Sequence, residues 1–270
     1  MQLRHVRAGT GFHWIRQAFA SVGKQPGTFL CMGLIVGLIS CVPILGPLVV
    51  FILGPAMLGG IAWAARVSDR GGSARIGDLM HAFRDNARTN SMIALCLPLF
   101  GALIVAVIIL AVAIGGALVG KQIDPAGIDA MQLLRESGGA GVVALALVVV
   151  VMLVGESMVF FAIPRVILDG VPARTAMGES FRACRRNLGA WLLALLTLAM
   201  GCGLVSALLA HAGLQLLGSL VADTLYYAVG GPTLYHAWDA VFAPSAASGE
   251  PPDAAAGDAP AAIQQVDRTF

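Results

Sequence analysis

Charge is scarce in this 270-residue chain: Asp, Glu, Lys and Arg together make up 12% of it. A soluble domain carries about a quarter, so a surface wetted all round is excluded. The shortage is also uneven. Residues 25–65 form a run of 41 without a single charge, and residues 187–222 form another of 36. Cysteine is nearly as sparse. Cys31, Cys41, Cys96, Cys184 and Cys202 are an odd set with no C-x-x-C pair. That excludes the usual zinc and dithiol motifs and leaves four of the five as small apolar residues within apolar runs. Catalytic signatures are missing too: there is no G-x-x-x-x-G-K-[ST], H-E-x-x-H or G-x-S-x-G. His5, His13, His81, His211 and His236 are scattered, and His211 reads as a helix-boundary residue. The expectation is a non-enzymatic protein without cofactor, metal or nucleic-acid partner. A cleavable leader is not expected either. Residues 1–27 carry Arg4, Arg7, Arg16 and Lys24, and the first apolar run begins only near Thr28.

What the chain has in abundance is apolar surface (58%) and glycine (33 residues). A span needs about 20 apolar residues, and close helix packing in lipid favours glycine. The expected fold class is all-α, a polytopic transmembrane helical bundle with cytoplasmic interfacial amphipathic helices. Its six spans fall at about 28–43, 47–65, 91–117, 141–163, 189–210 and 214–237. Pro43, Gly46 and Pro47 divide the first long run into two helices with a tight turn. A break near His211 and Gly213 divides the last. Residues 1–27 form an N-terminal segment with an interfacial helix, 28–242 the membrane domain, and 243–270 a tail rich in Ala, Pro and Gly that is expected to be disordered.

Orientation follows from the stretch between the fourth and fifth spans. After the Asp169–Pro172 turn, Ala173, Ala176, Met177, Ser180, Phe181 and Cys184 share one helical face, while Arg174, Arg182, Arg185 and Arg186 share the other. Such a helix suits the cytoplasmic headgroup layer. With six spans, 15 of the 17 Lys and Arg residues fall on one side and only Lys121 and Arg135 on the other. The positive-inside rule then puts both termini in the cytoplasm.

Three segments share a pattern of amphipathic helix, polar turn and apolar run, centred on Phe19, Phe83 and Phe181. They suggest three units of interfacial helix plus hairpin. Longer motifs carry a likeness to known proteins. Gly11, Trp14 and Ile15 as G-x-x-W-I, V-P-I-L-G-P-L-x-x-x-I-L-G-P over residues 42–55, the S-D-R-G-G loop, and A-x-P-R-V-x-L-D-G-V-P over residues 162–172 continuing to Asn187 are its parts. Together they resemble an uncharacterised family of proteobacterial six-helix integral membrane proteins, over about residues 11–242. The resemblance implies a bacterial inner membrane and six helices, and brings no activity, cofactor or site.

Two acids fall inside the expected spans, Glu156 and Asp223. A carboxylate at the centre of a span costs about 2.5–3.5 kcal/mol on insertion scales, so neither should face lipid while charged. One reading is structural, with the acids hydrogen-bonded to neighbours such as Ser157, Thr224 or Tyr227 and fixing helix rotation. The other is a shared polar cavity that binds a cation or proton. Arg182, Arg185 and Arg186 are candidates for anionic-lipid contact. The leading expectation is a scaffold or accessory subunit whose partners are the lipid bilayer and another envelope membrane protein. The alternative is a small transporter or channel using Glu156 and Asp223.

Overall fold

The computed structural model describes residues 3–118 and 139–242. The connection at 121–137 and the tail at 243–270 therefore lie outside the described residues, where every regular element is a helix. Helix α1 (Thr10–Lys24) meets α2 (Pro26–Ser40) at a 108° bend. Pro26 opens α2, where its missing N–H has no partner to lose. The Gln25 amide pins the elbow by donating to Ser68 Oγ (3.3 Å) and to the Gly72 carbonyl (3.2 Å). A tight turn, with Ile44 at φ +66°, leads into α3 (Leu45–Asp69). The Pro43–Pro47 region thus breaks the run as expected. A 3-10 helix (Ile76–Arg84) follows, with Asp78 accepting the Arg75 N–H, and then α4 (Asn86–Ala94), capped by Asp85.

Helices α5 (Cys96–Leu118) and α6 (Gly139–Val159) pack chiefly on each other. The chain breaks at Phe160–Phe161 before α7 (Ala162–Asp169), and Ser180 repairs the break: its hydroxyl donates to the Ser157 carbonyl (2.7 Å) and accepts the Phe161 N–H (3.0 Å). Gly170, in the left-handed region, ends α7. Next come the amphipathic α8 (Ala173–Arg186), α9 (Leu188–His211), and α10 (Gln215–Phe242) after a turn at Gly213.

Four helical stretches are long and apolar enough to cross a membrane: Leu45–Asp69, Asn86–Gly116, Gly139–Asp169 and Leu188–His211. The bent pair α1–α2 makes a fifth if it counts as one span. The helix expected as a sixth, α10, is present but fails the same test. Asp223, Thr224 and the Gly230-Gly231-Pro232-Thr233 stretch lower its apolarity. The reason lies in its position, for α10 runs through the middle of the bundle against α1, α2, α3, α7 and α9. Its threonine hydroxyls donate back to carbonyls of their own helix, Thr224 to Leu220 (2.7 Å) and Thr233 to Val229 (2.8 Å). Gly33 and Gly37 let α2 reach it: a Cβ at Gly33 would stand 2.2 Å from the Thr224 carbonyl oxygen. The G-x-x-x-G pair is therefore spent inside the chain.

By spacing alone, Phe12, Ile15, Phe19 and Val22 form the apolar stripe of α1 and Trp14 lies beside it at the interface; the structure rotates that face. Trp14 is fully buried, edge-to-face with Phe161 at 6.2 Å, while Phe12 and Phe19 point outward. The wall that receives Trp14 is 147 residues away in sequence, so the stripe of Phe12, Ile15 and Phe19 could not reveal it.

Candidate functional site: an acidic cavity within the bundle

Residues from four apolar runs far apart in sequence meet in one cavity of about 430 Å³. Helix α3 supplies one wall as a stripe at helical spacing: Pro47, Val50, Phe51, Gly54, Pro55 and Leu58. At 1.5 Å per residue the stripe is about 16 Å long, roughly half a bilayer core. Asp223, Tyr226 and Tyr227 of α10 form the second wall, again at helical spacing. Glu156 of α6 lies on the third. Gly54 has a specific purpose there, since a Cβ would come within 3.2 Å of the Tyr227 hydroxyl.

Glu156 and Asp223 are the two acids singled out by sequence, and the structure brings them to the same space. Each is partly exposed to it and not sealed in the packing. Ser40, at the end of α2, lines the same cavity as Asp223. No lysine or arginine among the described residues lines the cavity. The suggested structural partner Ser157 does not serve Glu156, because its hydroxyl donates to the Val154 carbonyl (2.7 Å). Thr224 is likewise engaged with its own helix. What remains is a pair of carboxyls beside two phenols and an aromatic ring. Those groups can exchange protons or receive a cation. Tyr226 and Ser40 escaped sequence reading, because a tyrosine or serine in a span is ordinary until its neighbours are known.

The arginines sort differently. Arg182, Arg185 and Arg186 are all exposed on α8. Arg182 donates from Nε to the Gly178 carbonyl of its own helix (3.2 Å), and Arg185 borders an apolar groove. Cys184, on the opposite face, is buried, and that burial raises its thiol pKa well above the usual range.

Two polar networks at the basic end of the bundle went unrecognised in the sequence. In the first, buried Arg165 donates to Glu179 (Nη2 2.7 Å) and to Asp169, whose carboxylate also accepts the Trp238 indole N–H (2.7 Å). Arg66 lies over the Trp63 and Trp238 rings and donates to the Leu168 carbonyl. In the second, Ser21, Asp69 and His236 meet with Lys24. They have the residue types of a hydrolase triad but not its geometry. Ser21 Oγ (2.9 Å) and Asp69 Oδ2 (3.5 Å) approach the same ring nitrogen, His236 Nε2, and the Ser21 hydroxyl also donates to Asp69 Oδ1 (3.0 Å). A triad needs the acid on one nitrogen and the nucleophile on the other. This network ties α1 to α3 and α10. Among the described residues, no three His, Cys, Asp or Glu side chains gather as a metal site would require.

No family model, curated protein or solved structure matches the chain.

Proposed function

We propose that this is a multi-pass protein of a bacterial inner membrane that binds a proton or small cation in the acidic cavity, as part of a small transporter or channel. The observation that carries the reading is the convergence of Glu156 and Asp223 on one cavity with no basic side chain among its described lining residues. Each carboxylate costs free energy to insert, and helix packing alone needs neither. Two uncompensated acids in one place are the arrangement that attracts and releases a cation. Pro47, Gly54 and Pro55 on the α3 wall add a second support, since Gly- and Pro-bearing apolar segments commonly border substrate paths.

The decisive experiment uses Glu156→Gln and Asp223→Asn, which keep size and hydrogen bonding but abolish titration. Both variants are expected to insert with the parent's yield and thermal stability and to fail to rescue the phenotype of the gene's loss. Full rescue by both would make the acids structural.

The accompanying topology has six crossings with both termini cytoplasmic. The one-sided distribution of Lys and Arg supports it, and the burial of α10 explains how a helix of modest apolarity could be the sixth. Reporters fused after residues 24, 75 and 175 should read cytoplasm and one near 128 the outside. A cytoplasmic signal at 128 would remove the model.

A second reading, an accessory subunit for another envelope membrane protein, draws on the α5–α6 hairpin. It packs mainly on itself and exposes Leu103, Val107, Val143 and Val150. Crosslinking in membranes followed by purification tests it: a stable stoichiometric partner supports this reading, and its absence leaves the hairpin to lipid.

A further inference from the structure

Away from the acidic cavity, the basic end of the bundle carries an apolar groove of about 360 Å³ between α6, α8 and α9. One wall is the α6 stripe of Val150, Leu153, Val154 and Ser157. The facing wall runs from α8 into α9 as Phe181, Cys184, Arg185 and Leu188, again at helical spacing, with Trp191 behind it. The Ser157 hydroxyl donates to the Val154 carbonyl, so its proton is already engaged. Arg185 is the single charge on the lining, and it is exposed. Phe181, 38% exposed, stands at the mouth.

We propose that this groove binds an anionic phospholipid, one acyl chain lying along α6 and the phosphate held by Arg185. Charge complementarity selects the occupant. A slot apolar along its length with one guanidinium fits an amphiphile whose charge is anionic and confined to one end. A purely apolar segment would leave that guanidinium without an anionic group to meet it. A helix with arginines on its outer face lies at headgroup level, which puts Arg185 at the depth of a phosphate. The same construction recurs under α1. There Phe12, Phe19 and Arg16 border an apolar groove of about 460 Å³ against Leu198, Gly201 and Leu225 of α9 and α10. The site is independent of the acidic cavity and stands if the transport reading falls.

The test uses the full chain in detergent, titrated with phosphatidylglycerol or phosphatidylcholine while thermal unfolding is followed. Phosphatidylglycerol should raise the melting temperature at lower concentration than phosphatidylcholine. Arg185→Gln should weaken its apparent affinity about tenfold, the loss of one charge-assisted contact, and leave the phosphatidylcholine response unchanged. Arg174→Gln removes an equal charge from an exposed position of α8 outside the groove and should change neither. Val154→Trp fills the groove from its exposed side and should abolish the headgroup preference. Melting without lipid checks that each variant folds. Equal weakening by Arg174→Gln and Arg185→Gln would mean diffuse surface charge and overturn the site. Undiminished preference in folded Val154→Trp would do the same.

Discussion

Helix α10 and the α5–α6 hairpin are built on opposite terms. The hairpin is the more apolar and the more exposed: only 17% and 22% of the most apolar windows through α5 and α6 are buried. Helix α10 fails an apolarity test that both pass, yet it is the most enclosed long helix of the bundle, with Ala228, Leu234, Ala237 and Val241 sealed among five neighbours. In water, the apolar stripe marks the core. In a bilayer, lipid is as apolar as leucine, so apolarity marks the outside, and small residues and internally bonded hydroxyls mark where helices meet. The cavity lies where the two regions meet, with Asp223 contributed by α10 and Glu156 and Leu99 by the hairpin.

Alanine at a glycine in each region should break the comparison if it is false. At Gly33, a Cβ would collide with the Thr224 carbonyl on α10, and Gly33→Ala should lower stability by about 1–3 kcal/mol through overpacking. On α5, nothing lies within 4 Å of a Cβ at Gly101. Gly101→Ala should be neutral or stabilising by up to about 1 kcal/mol, the difference in helix propensity. Thermal melts in one detergent decide it. Equal and opposite-to-expected shifts would mean that α2 and α10 can part as freely as the hairpin meets lipid.

A smaller effect sharpens the same division. His81 is buried in the 3-10 helix, stacked on Trp63 of α3 at 4.1 Å, with Arg88 Nη1 3.1 Å from its Nε2. Burial first, then the Arg88 and Arg84 charges, hold its pKa below the usual 6.5. The unfolded chain therefore binds the proton more readily. The stability that neutral His81 contributes is full above pH 6.5 and is lost as pH falls from there through the lowered folded value. His81→Phe keeps the stack and should flatten melting temperature against pH in that window. An unchanged slope would assign the dependence to another group.

The charge-free runs made the helical hairpins legible, because a bilayer writes its thickness directly into sequence. Turns carrying Pro43, Gly170 and Gly213 were legible for the same local reason: proline and positive φ leave marks on composition. Glu156 and Asp223 stood out because an acid in an apolar run is costly wherever it points. Their convergence was not readable, nor was the part played by Ser180. Its hydroxyl serves a helix break at Phe160–Phe161, inside a stretch as apolar as any around it, so nothing local announced the break. The Ser21–Asp69–His236 contact joins residues up to 215 apart, a relation that hydrophobic periodicity does not encode. Helix α10 misled in a more instructive way: its polar character reads as weakness for a span until its neighbours are known.

The central place of α10 also bears on how the molecule is made. It follows α1 to α9 in the chain, so the glycine face of α2 and the proline-lined face of α3 enter the bilayer before the helix they are shaped to hold. For that interval, lipid must fill the seat of α10. The helix itself is poorly suited to enter lipid unaided and well suited to a slot already walled on several sides. The acidic cavity is complete only once α10 has docked against α3. Until then Glu156 has no counterpart across the bundle, and an unfinished chain has no acidic pair.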